Sequence, residues 1–236
     1  MFILLQSQAI EVTPAEVAAP ESPVASFLRQ FLPDFLVDGG WPMIPLVILL
    51  GVAIYIFIER YLTIRKANTD SEEFMKQVRN YVQQGKLDAA LGLCESQNDP
   101  FARMIHKGIS RLGTASLKDI EGSIENVGKL EVYRLERRLS LLATIAGAAP
   151  MIGFMGTVLG MIRAFNAIVA KQGKADPTDL AAGISEAMIT TASGLVVGII
   201  AYLAYNSLVA LVNKVVFKLE LTSTDFLDLL QEPVKS

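Results

Sequence analysis

Apolar residues are concentrated in three blocks of the chain, and charged residues gather between and after these blocks. The first block covers residues 41–58, the second covers 139–162, and the third covers 180–213. A helix needs about 20 residues to cross the hydrocarbon core of a bilayer, and each block reaches that length with its flanking residues. The pattern therefore predicts three transmembrane helices, over residues 41–62, 139–165 and 180–213.

The segments between and after the blocks predict further helices, so we expect an all-α integral membrane protein. Residues 63–138 carry a helical pattern, interrupted by a stop signal at Gly85 and by Pro100, which opens another helix. Residues 116–138 contain no proline, so this helix is expected to run unbroken into the second span. The third span is expected to continue as a helix over residues 214–236. A polar hairpin over residues 166–179 joins the last two spans.

The distribution of basic residues predicts the orientation. Of 21 Lys and Arg, 14 lie between residues 59 and 138, and three follow the third span. Because basic residues favour the cytoplasmic side of a membrane, residues 63–138 and the C-terminus are expected in the cytoplasm. The N-terminal region and the hairpin are then expected outside.

Residues 1–40 form a separate region before the first span. Residues 1–8 are apolar but lack the basic start of a signal peptide, so whether they are the remnant of one stays open. Over residues 26–37, several apolar side chains share one helical face, which predicts an amphipathic helix. This helix lies either on the outer membrane surface or against the protein itself. The apolar residues that define the face are Phe27, Leu28, Phe31, Leu32 and Phe35.

Composition excludes several classes of function. The net charge of −3 and the absence of a dense basic run argue against a nucleic-acid partner. Cys94 and His106 are the only residues of their types, so we expect no disulfide, no metal cluster and no cofactor. No phosphate-binding loop, dinucleotide fingerprint or zinc-protease motif is present. An enzyme is therefore not expected, and a membrane enzyme would lack a nucleophile–base pair within the spans.

The third block contains a single charged residue, Glu186. An ionised side chain within a span costs about 3 kcal/mol on insertion scales, so it faces a cavity or a polar partner. On a helical wheel Thr190 and Ser193 project within about 40° of Glu186, whereas Thr191 points about 140° away. Glu186 is therefore a candidate site on an ion path, with a purely structural hydrogen bond as the alternative.

Small residues crowd the second span and recur in the third. Gly156 and Gly160 form one G-x-x-x-G pair, and Gly194 and Gly198 form another. Small residues allow helix backbones to approach closely in lipid, so the two spans are expected to form a tight antiparallel pair. The second span also carries Thr157, which either bonds back to its own helix or joins the path of Glu186. The candidate packing residues are Pro150, Gly153, Gly156, Gly160, Gly194 and Gly198.

Two segments resemble the signatures of a known family. Residues 149–161, APMIGFMGTVLGM, resemble the A-P-x-x-G-x-x-G-T-V-x-G-[MI] signature of the MotA/TolQ/ExbB proton channel family. Residues 184–195, ISEAMITTASGL, resemble its companion signature, I-x-E-A-L-x-x-T-A-x-G-L. The resemblance extends from residue 42 to about residue 215, and the two signatures together make it specific.

The resemblance implies a homo-pentamer in the bacterial inner membrane, with the N-terminus periplasmic and the C-terminus cytoplasmic. A dimer of an ExbD- or TolR-like single-span protein bearing an Asp would occupy a pore lined by the second and third spans. Ion flow would turn one assembly against the other and drive a TonB-like protein at the outer membrane. Glu186, Thr157 and Thr191 match the pore residues of the family, whereas the helical wheel favours Thr190 over Thr191; both remain candidates.

Within the family, the resemblance is strongest to ExbB. Three spans exclude a flagellar MotA, which has four, and the long N-terminal region is more typical of ExbB than of TolQ. The Thr190–Thr191 pair is similar to that of sodium-using relatives, but Glu186 is typical of the proton-driven branch and favours protons. A TolQ-like role and a membrane scaffold without conduction remain as alternatives.

Overall fold

The computed structural model describes residues 39–67, 71–97, 99–173 and 176–231. The predictions for the N-terminal segment, including the amphipathic helix over residues 26–37, lie outside these ranges. Seven α-helices make up the described part of the chain. They are α1 (Met43–Ala67), α2 (Ser71–Gln83), α3 (Leu87–Ser96), α4 (Pro100–Ile109), α5 (Leu117–Glu136), α6 (Leu139–Ala170) and α7 (Pro177–Gln231).

The predicted class, an all-α protein with three long apolar helices, is confirmed. Three stretches, within Met43–Gln83, Leu117–Ala170 and Leu180–Gln231, are long and apolar enough to cross a membrane. Large apolar side chains remain exposed on all three helices, for example Ile48 on α1, Phe154 on α6 and Ile199 on α7. Since a water-soluble chain rarely exposes such extended apolar surface, these faces fit contact with lipid or with another protein.

Helix α7 runs without a break from the apolar bundle to the shorter helices α2–α5. It contains 55 residues, which corresponds to roughly 80 Å at 1.5 Å per residue. In its second half, buried side chains follow one another at alternating spacings of four and three residues. They form a single stripe that faces the neighbouring helices α2, α4 and α5. The residues of this stripe are Leu208, Val212, Val215, Leu219, Thr222, Phe226 and Leu229.

The expectation of an unbroken helix from residue 116 into the second span is wrong. Helix α5 ends at Glu136 and α6 begins at Leu139, and between them Arg138 adopts a left-handed conformation with φ of +71°. This conformation costs roughly 1–2 kcal/mol for a residue with a Cβ. In this conformation, Arg138 Nη1 forms an ion pair with Glu59 Oε2 of α1 at 3.4 Å.

Hydrogen bonds around a buried carboxylate join α4 and α5 to α1. Glu131 on α5 is 3% exposed and accepts hydrogen bonds from Arg103 of α4 at 2.6 and 3.0 Å. Arg134 donates to the same carboxylate at 2.6 Å, and Arg60 of α1 donates to the Arg134 carbonyl oxygen at 3.2 Å. Because removing one member of a buried ion cluster leaves a charge uncompensated, this cluster couples α4 and α5 to the end of α1.

The left-handed residue between α5 and α6 provides the first prediction. Arg138→Gly and Arg138→Ala both remove the ion pair with Glu59, but only glycine adopts a positive φ without strain. We therefore expect Arg138→Gly to be more stable than Arg138→Ala by about 1 kcal/mol, after allowing for the greater chain entropy of glycine. Thermal unfolding of the two variants in the same detergent measures the difference, and equal stability would contradict the assigned conformation.

The second prediction concerns Cys94 on α3, which is 3% exposed. Burial, with a smaller contribution from the charge of Asp99, raises the pKa of the Cys94 thiol to about 12. Since the thiolate is the reactive species, we expect the native chain to react with a disulfide reagent at pH 8 at least about 100-fold more slowly than the denatured chain. Comparable rates in the two states would show that Cys94 is accessible.

Candidate functional site

Helices α6 and α7 are antiparallel and share the most extensive contact between any two described helices. In the hairpin between them, Gln172 and Gly173 both adopt positive φ and reverse the chain. At the start of α7, Asp176 Oδ1 accepts a hydrogen bond from the Thr178 backbone N–H at 3.1 Å, which holds the pKa of Asp176 below its usual value. Pro177 follows as the first residue of α7, a position where its missing N–H costs nothing.

The contact between α6 and α7 depends on positions without a side chain. A Cβ placed on Gly194 would lie 2.6 Å from the Ala149 carbonyl oxygen. A Cβ on Gly153 would lie 2.9 Å from the Thr190 carbonyl oxygen. Because both neighbours are backbone atoms, the two helices would have to separate to make room.

The other predicted packing residues lie along the same contact. A Cβ on Gly160 would meet Ala187 Cβ at 2.8 Å, and one on Gly198 would meet Pro150 Cγ at 2.6 Å. A Cβ on Gly156 would overlap the side chain of Thr190. The structure therefore brings together all six candidate packing residues of the two spans.

The close approach allows a hydrogen bond from a side chain of α7 to the backbone of α6. Thr191 Oγ1 on α7 donates to the Gly153 carbonyl oxygen on α6 at 3.0 Å. Thr157 on α6 is half-buried and donates to the Phe154 carbonyl oxygen of its own helix at 2.6 Å. Thr191 therefore fixes the register of the two helices, whereas the Thr157 hydroxyl does not reach α7.

Thr190 and Ser193 are both buried, and Thr190 lies against Gly156 of α6. Thr190 is 0% exposed, and its hydroxyl donates back to the Glu186 carbonyl oxygen at 3.1 Å and to the Ala187 carbonyl oxygen at 2.9 Å. Ser193 donates to the Ile189 carbonyl oxygen at 2.9 Å. The stripe that the helical wheel assigns to Glu186 therefore continues into packing between α6 and α7, and no hydroxyl of this stripe bonds the Glu186 carboxylate.

The carboxylate of Glu186 instead forms an ion pair with Arg163. Arg163 Nη1 on α6 donates to Glu186 Oε1 on α7; the side chains are 47% and 22% exposed, respectively. The sequence analysis did not single out Arg163 and missed this pair. The available signal was the hairpin: in an antiparallel pair, Arg163 and Glu186 lie at similar distances along the chain from Gly173.

The start of α1 closes one side of the pair. Gly40 has φ of +65°, and a Cβ at this position would overlap Glu186 Oε1 and lie 3.5 Å from Arg163 Nη1. Since α1 begins at Met43, Glu186 lies at the end of the bundle where α1 begins. No side chain other than hydrogen fits at residue 40 without moving the carboxylate.

The pair is electrically neutral, and the stretches of α6 and α7 that carry it hold no other charged residue. Arg163 is the only charged residue of α6, and Glu186 is the only one between residues 180 and 213. A buried or lipid-facing charge is tolerated when it is paired, so each side chain offsets the cost of the other. Among the residues that the structure describes, no cluster of three or more His, Cys, Asp or Glu side chains offers a metal site.

These features define a membrane protein with three apolar helices, in which a glycine-packed antiparallel pair holds an ion pair. The chain belongs to the MotA/TolQ/ExbB proton channel family, whose sequence profile matches residues 96–221. The family resemblance of the two signatures is thereby confirmed. Members of this family are energising subunits of transport systems.

Individual relatives carry both ExbB and TolQ names. The chain is 33% identical over 202 residues to the ExbB-like 1 protein of Synechocystis sp., covering 80% of this chain and 76% of the relative. It is 29% identical over 203 residues to an ExbB homolog of Methanothermobacter thermautotrophicus, covering 84% and 70%. It is 45% identical over 86 residues to the Tol-Pal system protein TolQ of Haemophilus influenzae, covering 36% and 37%. ExbB names are the more frequent.

The third prediction tests the glycine contact on α7 with a control glycine on the neighbouring helix α6. Gly194→Ala is expected to destabilise the chain by about 1–3 kcal/mol, because the methyl group meets the Ala149 carbonyl oxygen. Gly147→Ala is expected to be neutral or up to about 1 kcal/mol stabilising, since nothing lies within 4 Å of its Cβ and alanine favours a helix. Thermal unfolding in detergent compares the two. Similar effects of both substitutions would contradict the close approach.

Proposed function

We propose that this chain is the ion-conducting subunit of a bacterial inner-membrane motor, and that Glu186 carries protons through it. The observation that supports this most directly is the position of Glu186, an ionisable group on an otherwise uncharged stretch of α7, against α6. An intramembrane carboxylate is a functional candidate by default. The motor uses the ion motive force to energise outer-membrane transport through ExbD-like and TonB-like partners.

In the proposed assembly, five copies surround a pore lined by α6 and α7, and a dimer of a single-span partner occupies it. The exposed surface of α6 supports this arrangement, because the face opposite its glycines is an unbroken apolar stripe that borders Thr157. Such a stripe suits contact with a neighbouring copy or with a partner helix. Its residues are Met151, Phe154, Val158, Ile162 and Phe165.

The hydroxyl groups take separate roles in this proposal. Thr191 positions Glu186, because its bond to Gly153 fixes α7 against α6. Thr157, at the border of the exposed stripe, faces the pore. Thr190 and Ser193 satisfy their hydroxyls on their own helix and serve the packing.

The same arrangement supports protons rather than sodium as the coupling ion. A metal cation needs several oxygen ligands, and Glu186, the single carboxylate between residues 180 and 213, is bonded to a guanidinium. A sodium ion would have to displace Arg163 from this carboxylate. A proton needs only the carboxylate.

A non-conducting scaffold is the second candidate, and the Arg163–Glu186 pair is the observation that favours it. A carboxylate that is already paired fulfils a structural role without any transport. A TolQ-like role in envelope maintenance is a third possibility, favoured by the similarity to TolQ of Haemophilus influenzae. It differs from the first only in the system that is energised.

The fourth prediction separates conduction from a scaffold. We expect Glu186→Gln to abolish proton entry into vesicles that contain the chain and its partner, because an amide cannot carry the proton. Proton entry is measured with an internal pH-sensitive dye under an imposed gradient. The matched control is Glu220→Gln on the exposed surface of the same helix, which is expected to leave proton entry and assembly unchanged.

The double variant Arg163→Glu with Glu186→Arg adds a second discrimination. A structural pair tolerates exchange of its two charges, so a scaffold predicts normal assembly and normal support of transport. A proton-carrying Glu186 predicts normal assembly without proton entry. Full proton entry in Glu186→Gln, or in the exchanged pair, would rule out Glu186 as the carrier.

A further inference from the structure

We propose that Arg163 is the docking group for a carboxylate carried by a partner helix. When that helix binds, the guanidinium gives up its bond to Glu186 and pairs with the partner's carboxylate. This inference rests on the proposed function, because it assumes that a second membrane helix approaches α6 and α7. It assigns to Arg163 a binding role that neither signature contains.

The uneven exposure of the ion pair is the first observation. The side chain of Arg163 is 47% exposed, whereas that of Glu186 is 22% exposed. A guanidinium has five N–H donors in a planar fork, and in the structure Arg163 uses Nη1 for Glu186. The side of the pair that remains open to an incoming group is therefore the cationic side.

The second observation is that the carboxylate is enclosed where the guanidinium is not. Gly40 lies against Glu186 so closely that a Cβ there would overlap Oε1. Next to the carboxylate, Thr190 and Ala187 are buried in the contact of α6 and α7 and leave no access from that side. A partner that approaches the pair meets Arg163 before Glu186.

The third observation is the scarcity of cations in this region. Between residues 139 and 213, the basic residues are Arg163 and the hairpin lysines Lys171 and Lys174. The hairpin lysines lie eight and eleven residues further along the chain than Arg163. A carboxylate on a helix within the apolar bundle needs a counter-charge, and Arg163 is the cation at the depth of Glu186.

The chemistry selects a carboxylate as the ligand. A half-exposed guanidinium beside apolar helices is stabilised by an anion that accepts two parallel N–H bonds, as a carboxylate does. Because Arg163 cannot satisfy two carboxylates with equal geometry, docking weakens its bond to Glu186. Binding of the partner and release of Glu186 are then linked, and each favours the other.

The closing experiment measures docking separately from conduction. The full chain is reconstituted in phosphatidylcholine vesicles with a labelled synthetic single-span helix that bears one Asp at the depth of Arg163. A twin helix bears Asn instead. Energy transfer between labels on the chain and the helix gives the affinity of each, and their ratio is the preference for Asp.

We expect the wild-type chain to prefer the Asp helix by about tenfold, the equivalent of 1.4 kcal/mol. Arg163→Gln should reduce the preference to about one, and Arg163→Lys should retain part of it, because lysine keeps the charge but not the fork. Glu186→Gln should increase the preference, since it frees Arg163. Lys171→Gln, a cation of the nearby hairpin, should leave the preference unchanged.

Several outcomes would overturn the inference. These are no preference for Asp in the wild type, an unchanged preference in Arg163→Gln, and a reduced preference in Glu186→Gln. Loss of the preference when phosphatidylglycerol is added would assign Arg163 to a lipid phosphate instead. Proton entry that is insensitive to Glu186→Gln would sink the proposed function, while the Asp preference would still decide the role of Arg163.

Discussion

The approach of α6 to α7 through their glycines is the constraint on which the rest of the site depends. With Gly153 against Gly194, backbone atoms of the two helices come close enough for Thr191 to donate across the contact. The same register brings Arg163 to Glu186. Since lipid provides no hydrophobic force between helices, this packing and its hydrogen bond are what hold the pair together. The ion pair is thus a product of helix packing.

Polar groups in the site are satisfied in two different ways. Each hydroxyl of Thr157, Thr190, Thr191 and Ser193 donates to a backbone carbonyl oxygen. These bonds occupy the hydroxyl protons, so the hydroxyls stabilise the helix backbones and the contact between α6 and α7. An ionised carboxylate has no proton to donate, so it cannot bond to a carbonyl oxygen. In the structure Glu186 is satisfied by the guanidinium of Arg163, so its chemistry depends on Arg163.

Much of the fold could be predicted because its signals are local. Block length predicts the spans, and the glycine spacing predicts which faces pack. The pairing of Arg163 with Glu186 depends on the register of two helices, and a helical wheel describes only one helix. For the same reason the wheel grouped Thr190 with Glu186 but did not show that α6 covers it. The break at Arg138 could not be predicted, because no glycine or proline lies there. The strained residue instead forms a tertiary ion pair with Glu59, which sequence patterns do not show.

The two helices of the site connect differently to helices α2–α5. Helix α7 continues unbroken from the neighbourhood of Glu186 to Gln231, with its buried stripe packed against α2, α4 and α5. Helix α6 ends its regular hydrogen bonding at Arg138, where the chain turns into α5. Helix α7 therefore provides a continuous helical connection from Glu186 to the packing with α2, α4 and α5. Helix α6 has no such connection, because the left-handed residue Arg138, paired with Glu59 of α1, separates it from α5.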